Sequence, residues 1–258
     1  MTTDRTRQIA TVLIFLLTLA VNGAANALPI NGQTTGEISD RFQVFVIPAG
    51  YVFGIWGVIY LALAAFTIYQ ALRGADPVVR RVGWLPALTG ILNTGWLLLF
   101  QFELFVLTVP VMISLLITLI AINQRLWEVR DQLTTMSRWT VRYPFSIYLG
   151  WITVATIANI AQTLSSVGVG GFGIGVETAI AGAVLLLGLA IALTFVARFG
   201  DVVYGAVIVW AYVGIVVKEA GSPVVPVVAA LGAVAVAILI AWVLVDRVRG
   251  RPTPLQAT

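Results

Sequence analysis

The 258-residue chain contains no cysteine and no histidine. Without cysteine there is no disulfide and no thiolate metal site. Without histidine the usual general base near neutral pH, the commonest metal ligand and the usual haem axial ligand are missing. Charge is scarce as well: Asp, Glu, Lys and Arg make up 10% of the chain, against about 25% in a soluble domain. Hydrophobic residues reach 60% and mean hydropathy is +1.00, so too little polar surface exists to face water. A disordered chain, a disulfide scaffold and a nucleic-acid binder are excluded, and lipid is the expected solvent. The net charge of +4 fits arginine-rich loops beside a membrane. What remains for chemistry is carboxylates, arginines, one lysine, amides, hydroxyls and aromatic rings.

A spanning helix needs about 20 mostly apolar residues. Eight such runs are present, near 8–28, 46–72, 83–101, 104–124, 143–164, 175–197, 201–217 and 223–245. They are continuous rather than alternating, which predicts an all-α polytopic membrane bundle of about eight helices and not a β-barrel. The third and fourth runs are separated by Phe102 and Glu103 alone, a tight antiparallel hairpin. With the N-terminus in the cytoplasm, the inner side holds Arg5, Arg7, Arg73, Arg80, Arg81, Arg125, Arg130, Arg138, Arg142, Arg198, Arg247, Arg249 and Arg251. The outer side holds Arg41 and Lys218. This split of thirteen to two predicts both termini inside, in the cytoplasmic membrane of a prokaryote. The first run, with Arg5 and Arg7 before it and Ala25-Asn26-Ala27 after it, imitates a secretory signal. Asn22, Gly23 and Asn26 instead suggest a helix face that packs and is retained.

The first five runs carry Asn22, Asn26, Asn93, Asn159, Gln101, Gln162, Trp56, Trp84, Trp96 and Trp151, whereas the last three are rich in Ala, Val, Leu and Gly. Small residues let membrane helices approach closely. The chain is therefore divided into a site-bearing segment, 1–166, and a three-helix extension, 175–248, which suits packing or a homodimer. The glycine-rich stretch 168–175 is the junction. The outer loop 29–45 is long and polar enough to fold over a pocket mouth.

Three stripes carry the candidate site. Tyr51, Phe53, Trp56 and Tyr60 open the second run, the last three at i, i+3 and i+7. Asn93, Trp96 and Phe100 share a face of the third. Tyr148, Trp151, Ala155 and Asn159 follow i, i+3, i+7 and i+11 in the fifth. Residues so spaced lie on one helical face. An amide in hydrocarbon is costly unless it is paired or faces a cavity, and Trp and Tyr offer flat apolar area with one polar handle. If the stripes converge, they enclose an aromatic-walled cavity for a flat, mostly apolar ligand with polar edges. The residue types do not suit an ion, a sugar or a proton relay. The competing structural reading gives the amides to helix–helix bridges and the tryptophans to interfacial anchoring.

The ordered set resembles the translocator protein / tryptophan-rich sensory protein (TspO/MBR) family. The matching positions are Trp56 and Tyr60; Leu92, Asn93, Trp96 and Phe100; and Tyr148, Trp151 and Asn159, together with the hairpin after the third run. The resemblance covers about 165 residues. It implies a five-helix core with a pocket opening toward the loop after the first helix. It also implies a sensor, receptor or carrier for porphyrins or other apolar molecules. Tyr51, Trp56, Asn93, Trp96, Trp151 and Asn159 would line that pocket, with Ala155 allowing close approach. The segment after Asn159, Ile-Ala-Gln-Thr-Leu, lacks the Tyr and Arg of the family's sterol motif, so sterol binding is not implied. The last three helices receive no role from it.

The leading expectation is a membrane receptor or carrier for a tetrapyrrole, held as a ligand and not as a required cofactor. A metal-free porphyrin suits a chain without His or Cys better than ligated haem. The alternatives are a secondary transporter of a small metabolite and a partner-binding membrane protein. The first would need a mid-membrane charge, but Glu177, Lys218 and Glu219 lie at span ends. No serine triad, metal cluster or phosphate loop supports an enzyme. The expected partners are the lipid bilayer and a small apolar ligand, with no nucleic acid.

Overall fold

A computed structural model describes residues 2–249 apart from Pro29 and Gln43; Arg251 therefore lies outside the described residues. No strand occurs among them. The helices are α1 (Thr2–Ala27), α2 (Thr35–Asp40), α3 (Ile55–Leu72), α4 (Pro77–Val82), α5 (Leu85–Gln101), α6 (Phe105–Glu128), α7 (Thr135–Ser137), α8 (Tyr143–Ser166), α9 (Ile174–Phe199), α10 (Val202–Lys218) and α11 (Val225–Val248). Each of the eight apolar runs contains one long helix. Six segments are long and apolar enough to cross a membrane: Asp4–Ala27, Gly50–Leu72, Phe105–Glu128, Thr135–Ser166, Ile174–Phe199 and Val225–Val248. The other two, α5 and α10, have 17 residues each, the lower end of what a bilayer requires. The protein is a polytopic helical membrane protein.

The breaks between helices have local causes. Asp76 accepts the amide of Val78 at 2.8 Å and Pro77 follows it, so α4 starts there. Gly83, at φ 60°, stops α4. Glu103 takes a left-handed φ of 58° in the predicted hairpin between α5 and α6. Gly200, at φ 59°, ends α9, and the Asp201 side chain then caps Tyr204 of α10 at 3.1 Å. The predicted start of the second span differs: Gly50–Gly54 is a 3₁₀ turn, and regular α-helix begins only at Ile55.

Two compact units form, one of Met1–Phe42 with Trp56–Ile152 and the other of Gln43–Ile55 with Thr153–Thr258. The boundary between them falls inside α8. In the first unit α1 lies along α5, and α5 along α6. Gly90 makes the first approach close: a Cβ there would sit 2.6 Å from Ile14. Thr18 donates across the same contact to the Gly90 carbonyl at 3.2 Å. At one end, Arg7 donates to the Gly74 carbonyl at 3.0 Å, and Gln8 and Gln70 exchange side chain-to-carbonyl bonds of 2.8 and 3.1 Å.

In the second unit α9, α10 and α11 pack on one another. Tyr212 is the central knob, 3% exposed, with its hydroxyl donating to the Leu185 carbonyl at 2.6 Å. Gly232 receives its ring, since a Cβ there would lie 2.6 Å from Cε2. This is the close approach that small residues allow in lipid, where packing replaces the hydrophobic drive.

Candidate functional site

The first unit brings the α3 and α8 stripes together. The Trp56 ring stacks on Tyr60 at 5.4 Å and 19°. It meets Tyr148 at 6.0 Å and 67°, and Trp151 at 6.1 Å and 81°. Offset and edge-to-face contacts of this kind are the favoured ones for aromatic pairs. Tyr148 and Trp151 are each 2% exposed, and Trp56 is half-buried. The rings touch one another, so the space among them is filled by the rings themselves.

Asn93 joins the group from α5. It is buried, lies beside the Tyr148 side chain, and accepts a 3.0 Å bond from the Asn22 amide of α1. The amide face of α1, Asn22 with Asn26, is thus a packing face: Asn22 reaches Asn93, and Asn26 donates back to the Asn22 carbonyl at 2.8 Å. Among the described residues of this unit, the Tyr60 hydroxyl and Nδ2 of Asn93 are buried and without an acceptor.

Beside these groups lies a cavity of about 30 Å³. Four threonines (Thr11, Thr18, Thr67, Thr89) line it with Tyr60 and Tyr148 among apolar residues. The volume suits one or two waters and falls far below the roughly 300–1,000 Å³ of drug-sized sites. The threonines were not anticipated, although Thr11 and Thr18 sit seven residues apart and so share a face of α1.

Trp96 and Phe100 take another direction. Their rings lie 5.3 Å apart, and they join Ile38 of α2, Phe42 and Phe105 in a hydrophobic cluster. That cluster closes one end of the first unit beneath the segment 30–42. Gln101, fully buried, fastens it: Nε2 donates to the Ile30 carbonyl at 2.7 Å and to the Gln33 carbonyl, and Oε1 accepts from Thr35 at 3.2 Å. Asn31 donates to the Gln101 main-chain carbonyl at 3.3 Å, and Arg41 pairs with Glu103 at 2.8 Å. A Thr34–Glu37 capping box holds α2, and those bonds draw the Glu37 carboxyl below its ordinary range. The segment 30–42 is folded over this end of the first unit. Gln101 had no signal in the sequence beyond its place at a span end.

The remaining predicted residues lie in the second unit. Tyr51 and Phe53 stand on the 3₁₀ turn, 50% and 38% exposed, and not on the α3 face. Tyr51 packs edge-on against Trp210 of α10 at 5.4 Å, and Trp210 donates to the Val52 carbonyl at 3.2 Å. The shorter 3₁₀ repeat breaks the expected Phe53–Trp56–Tyr60 stripe after its first ring. Ala155 is half-buried and Asn159 is 4% exposed, both on α8. Among the described residues no group of acidic side chains could hold a metal ion.

A family profile described as TSPO-like protein matches residues 8–243. The chain belongs to the TSPO-like family. The match continues through α9, α10 and α11, so the three last helices are part of what this TSPO-like chain shares with its family. No curated protein and no solved structure matches the chain.

Proposed function

We propose that the first unit of this TSPO-like protein is a receptor or carrier site for a flat, mostly apolar ligand bearing hydrogen-bond acceptors at its edge. A porphyrin without a ligated metal is the ligand that the family resemblance favours. The observation that carries this reading is the pair of buried donors without acceptors, the Tyr60 hydroxyl and Nδ2 of Asn93. Buried polar groups are almost always satisfied, and an orphan costs about 1–3 kcal/mol. Both donors flank Tyr148, and Tyr60 also lines the cavity. A carbonyl or carboxylate at a ligand's edge supplies the missing acceptor.

A ring system enters only if the rings part. Trp56 is the element to move, because it is half-buried and its ring pairs with those of Tyr60, Tyr148 and Trp151. The segment 30–42 serves as the lid over the entrance. Charge gives the direction. The end of the first unit where α1 begins and α6 ends carries nine arginines (5, 7, 73, 80, 81, 125, 130, 138, 142) and four acids (4, 76, 128, 131). The lid end carries Arg41 with Glu37, Asp40 and Glu103. The basic end faces the cytoplasm under the positive-inside rule, so the lid opens outward.

Titration of protoporphyrin into the purified protein, read by tryptophan fluorescence, tests the proposal. Saturable quenching that disappears in a Trp151→Ala, Asn93→Ala double variant supports it. Unsaturable quenching that the double variant leaves unchanged refutes it.

A further inference from the structure

The cavity among α1, α3, α5 and α8 continues the ring cluster away from the segment 30–42. Each helix makes the same step from cluster to cavity: Asn22 to Thr18 and Thr11 on α1, Trp56 to Tyr60 and Thr67 on α3, Asn93 to Thr89 on α5, and Trp151 to Tyr148 on α8. About one helical turn separates Trp56 from Tyr60 and Trp151 from Tyr148. A flat molecule lodged among the rings therefore has one edge at the cavity.

The cavity wall is divided by what its hydroxyls can still do. Thr11, Thr18 and Thr89 each donate to a carbonyl of their own helix, that of Arg7 at 2.8 Å, Ile14 at 2.9 Å and Pro86 at 2.7 Å. A hydroxyl has one hydrogen, so these three oxygens turn lone pairs to a guest. The Tyr60 hydroxyl is buried without an acceptor, and Thr67, 8% exposed, makes no hydrogen bond among the described residues. Tyr60 and Thr67 are the donors.

Among the described residues no charged side chain lines the cavity. The helices α3, α5 and α8 contain no Asp, Glu, Lys or Arg. The charges of α1 stand in its first turns, at Asp4, Arg5 and Arg7, and the Arg7 guanidinium is held by Asp4 at 3.1 Å and by the Gly74 carbonyl at 3.0 Å. Of the lining residues Tyr60 and Tyr148 alone titrate, and a tyrosine hydroxyl keeps its proton at neutral pH. A carboxylate placed there would meet three oxygens that already donate elsewhere, and no cation. Burial of an unpaired charge is so unfavourable that the group takes up a proton instead.

We infer that the cavity receives an uncharged carbonyl group at the ligand's edge (a protonated carboxyl, an amide or an ester), that Tyr60 and Thr67 donate to it, and that the site selects against the ionised form. The volume of about 30 Å³ matches a group with one or two polar atoms, near the space of one or two waters. The inference rests on the receptor reading above and narrows its ligand class.

Tryptophan-quenching titrations of the full chain in detergent, with protoporphyrin and with protoporphyrin dimethyl ester, test it. At pH 8 the ester should bind at least tenfold more tightly. Lowering the pH from 8 to 6 should strengthen protoporphyrin binding toward that of the ester, by up to about tenfold per pH unit, because both values lie above a carboxyl pKa of about 4.3. The ester's affinity should stay constant over the same interval. Thr67→Val removes a donor and keeps the shape. It should weaken the ester about tenfold, the worth of one neutral hydrogen bond, without lowering the Tm of the ligand-free protein, because that hydroxyl has no partner to lose. Saturable binding with equal affinities at pH 8, an unchanged protoporphyrin affinity between pH 8 and 6, full ester affinity in Thr67→Val, or a Tm lowered by that change each overturns the inference and leaves the receptor reading standing. Absence of saturable binding by either porphyrin overturns both.

Discussion

Replacing Tyr60 by Phe should stabilise the ligand-free protein, against the usual direction for a buried substitution. The ring stays and keeps its 5.4 Å stack on Trp56. The change removes only a hydroxyl that is buried and has no partner. Its desolvation costs about 1–3 kcal/mol in the native state. The void left by one oxygen subtracts a few tenths of that, at roughly 24 cal/mol per Å³. The net gain is about 1 kcal/mol, or about 2–4 °C in Tm for a chain of this length. The same change removes a donor from the proposed site, so protoporphyrin should bind about tenfold more weakly, the worth of one neutral hydrogen bond. Thermal unfolding followed by tryptophan fluorescence, with and without saturating protoporphyrin, reads both effects in one sample. A lower Tm for ligand-free Tyr60→Phe would refute the reasoning. It would mean that the hydroxyl is satisfied in the native protein, for instance by water in the 30 Å³ cavity, and the orphan donor would no longer ask for a ligand.

Gln101→Leu should loosen the lid: it removes three side-chain bonds to the segment 30–35. At about 1 kcal/mol each, even partial transmission speeds ligand entry by roughly 30-fold. Stopped-flow quenching measures the rate, and an unchanged rate constant counts against a lid role. Gly232→Ala should cost about 2–4 kcal/mol, because the new methyl overlaps the Tyr212 ring at 2.6 Å and threatens its bond to Leu185. In a Tyr212→Leu background the same change should cost under about 1 kcal/mol. Equal costs in the two backgrounds, measured by thermal unfolding, would show that the ring is not the cause.

The amino-acid sequence by itself determined the number, place and type of the long helices. A bilayer core fixes how long an apolar run must be, and hydrocarbon forces every backbone amide into an internal bond. Composition and run length therefore suffice, and α6, α9 and α11 begin and end within a few residues of the apolar runs. The stripe on α8 was legible for the same reason, because a regular helix turns spacing into a face. Where the backbone leaves the regular repeat, spacing stops being a guide. The 3₁₀ turn at Gly50–Gly54 takes Tyr51 and Phe53 off the α3 stripe, and the π turn at Arg138–Arg142 turns a loop arginine onto Trp127.

Tertiary structure alone decided which rings meet. Asn93, Trp96 and Phe100 share one helical face, yet Asn93 joins Asn22 and lies beside Tyr148, while Trp96 and Phe100 join Ile38 of α2. Gln101 reads as one more amide at a span end, and only the return of a chain segment about 70 residues away gives it three partners. Periodicity reports the face a side chain occupies, a property of its own helix. Contact depends on how neighbouring helices are set against that face, and that is fixed by close approaches such as Gly90 on Ile14, which no local pattern encodes.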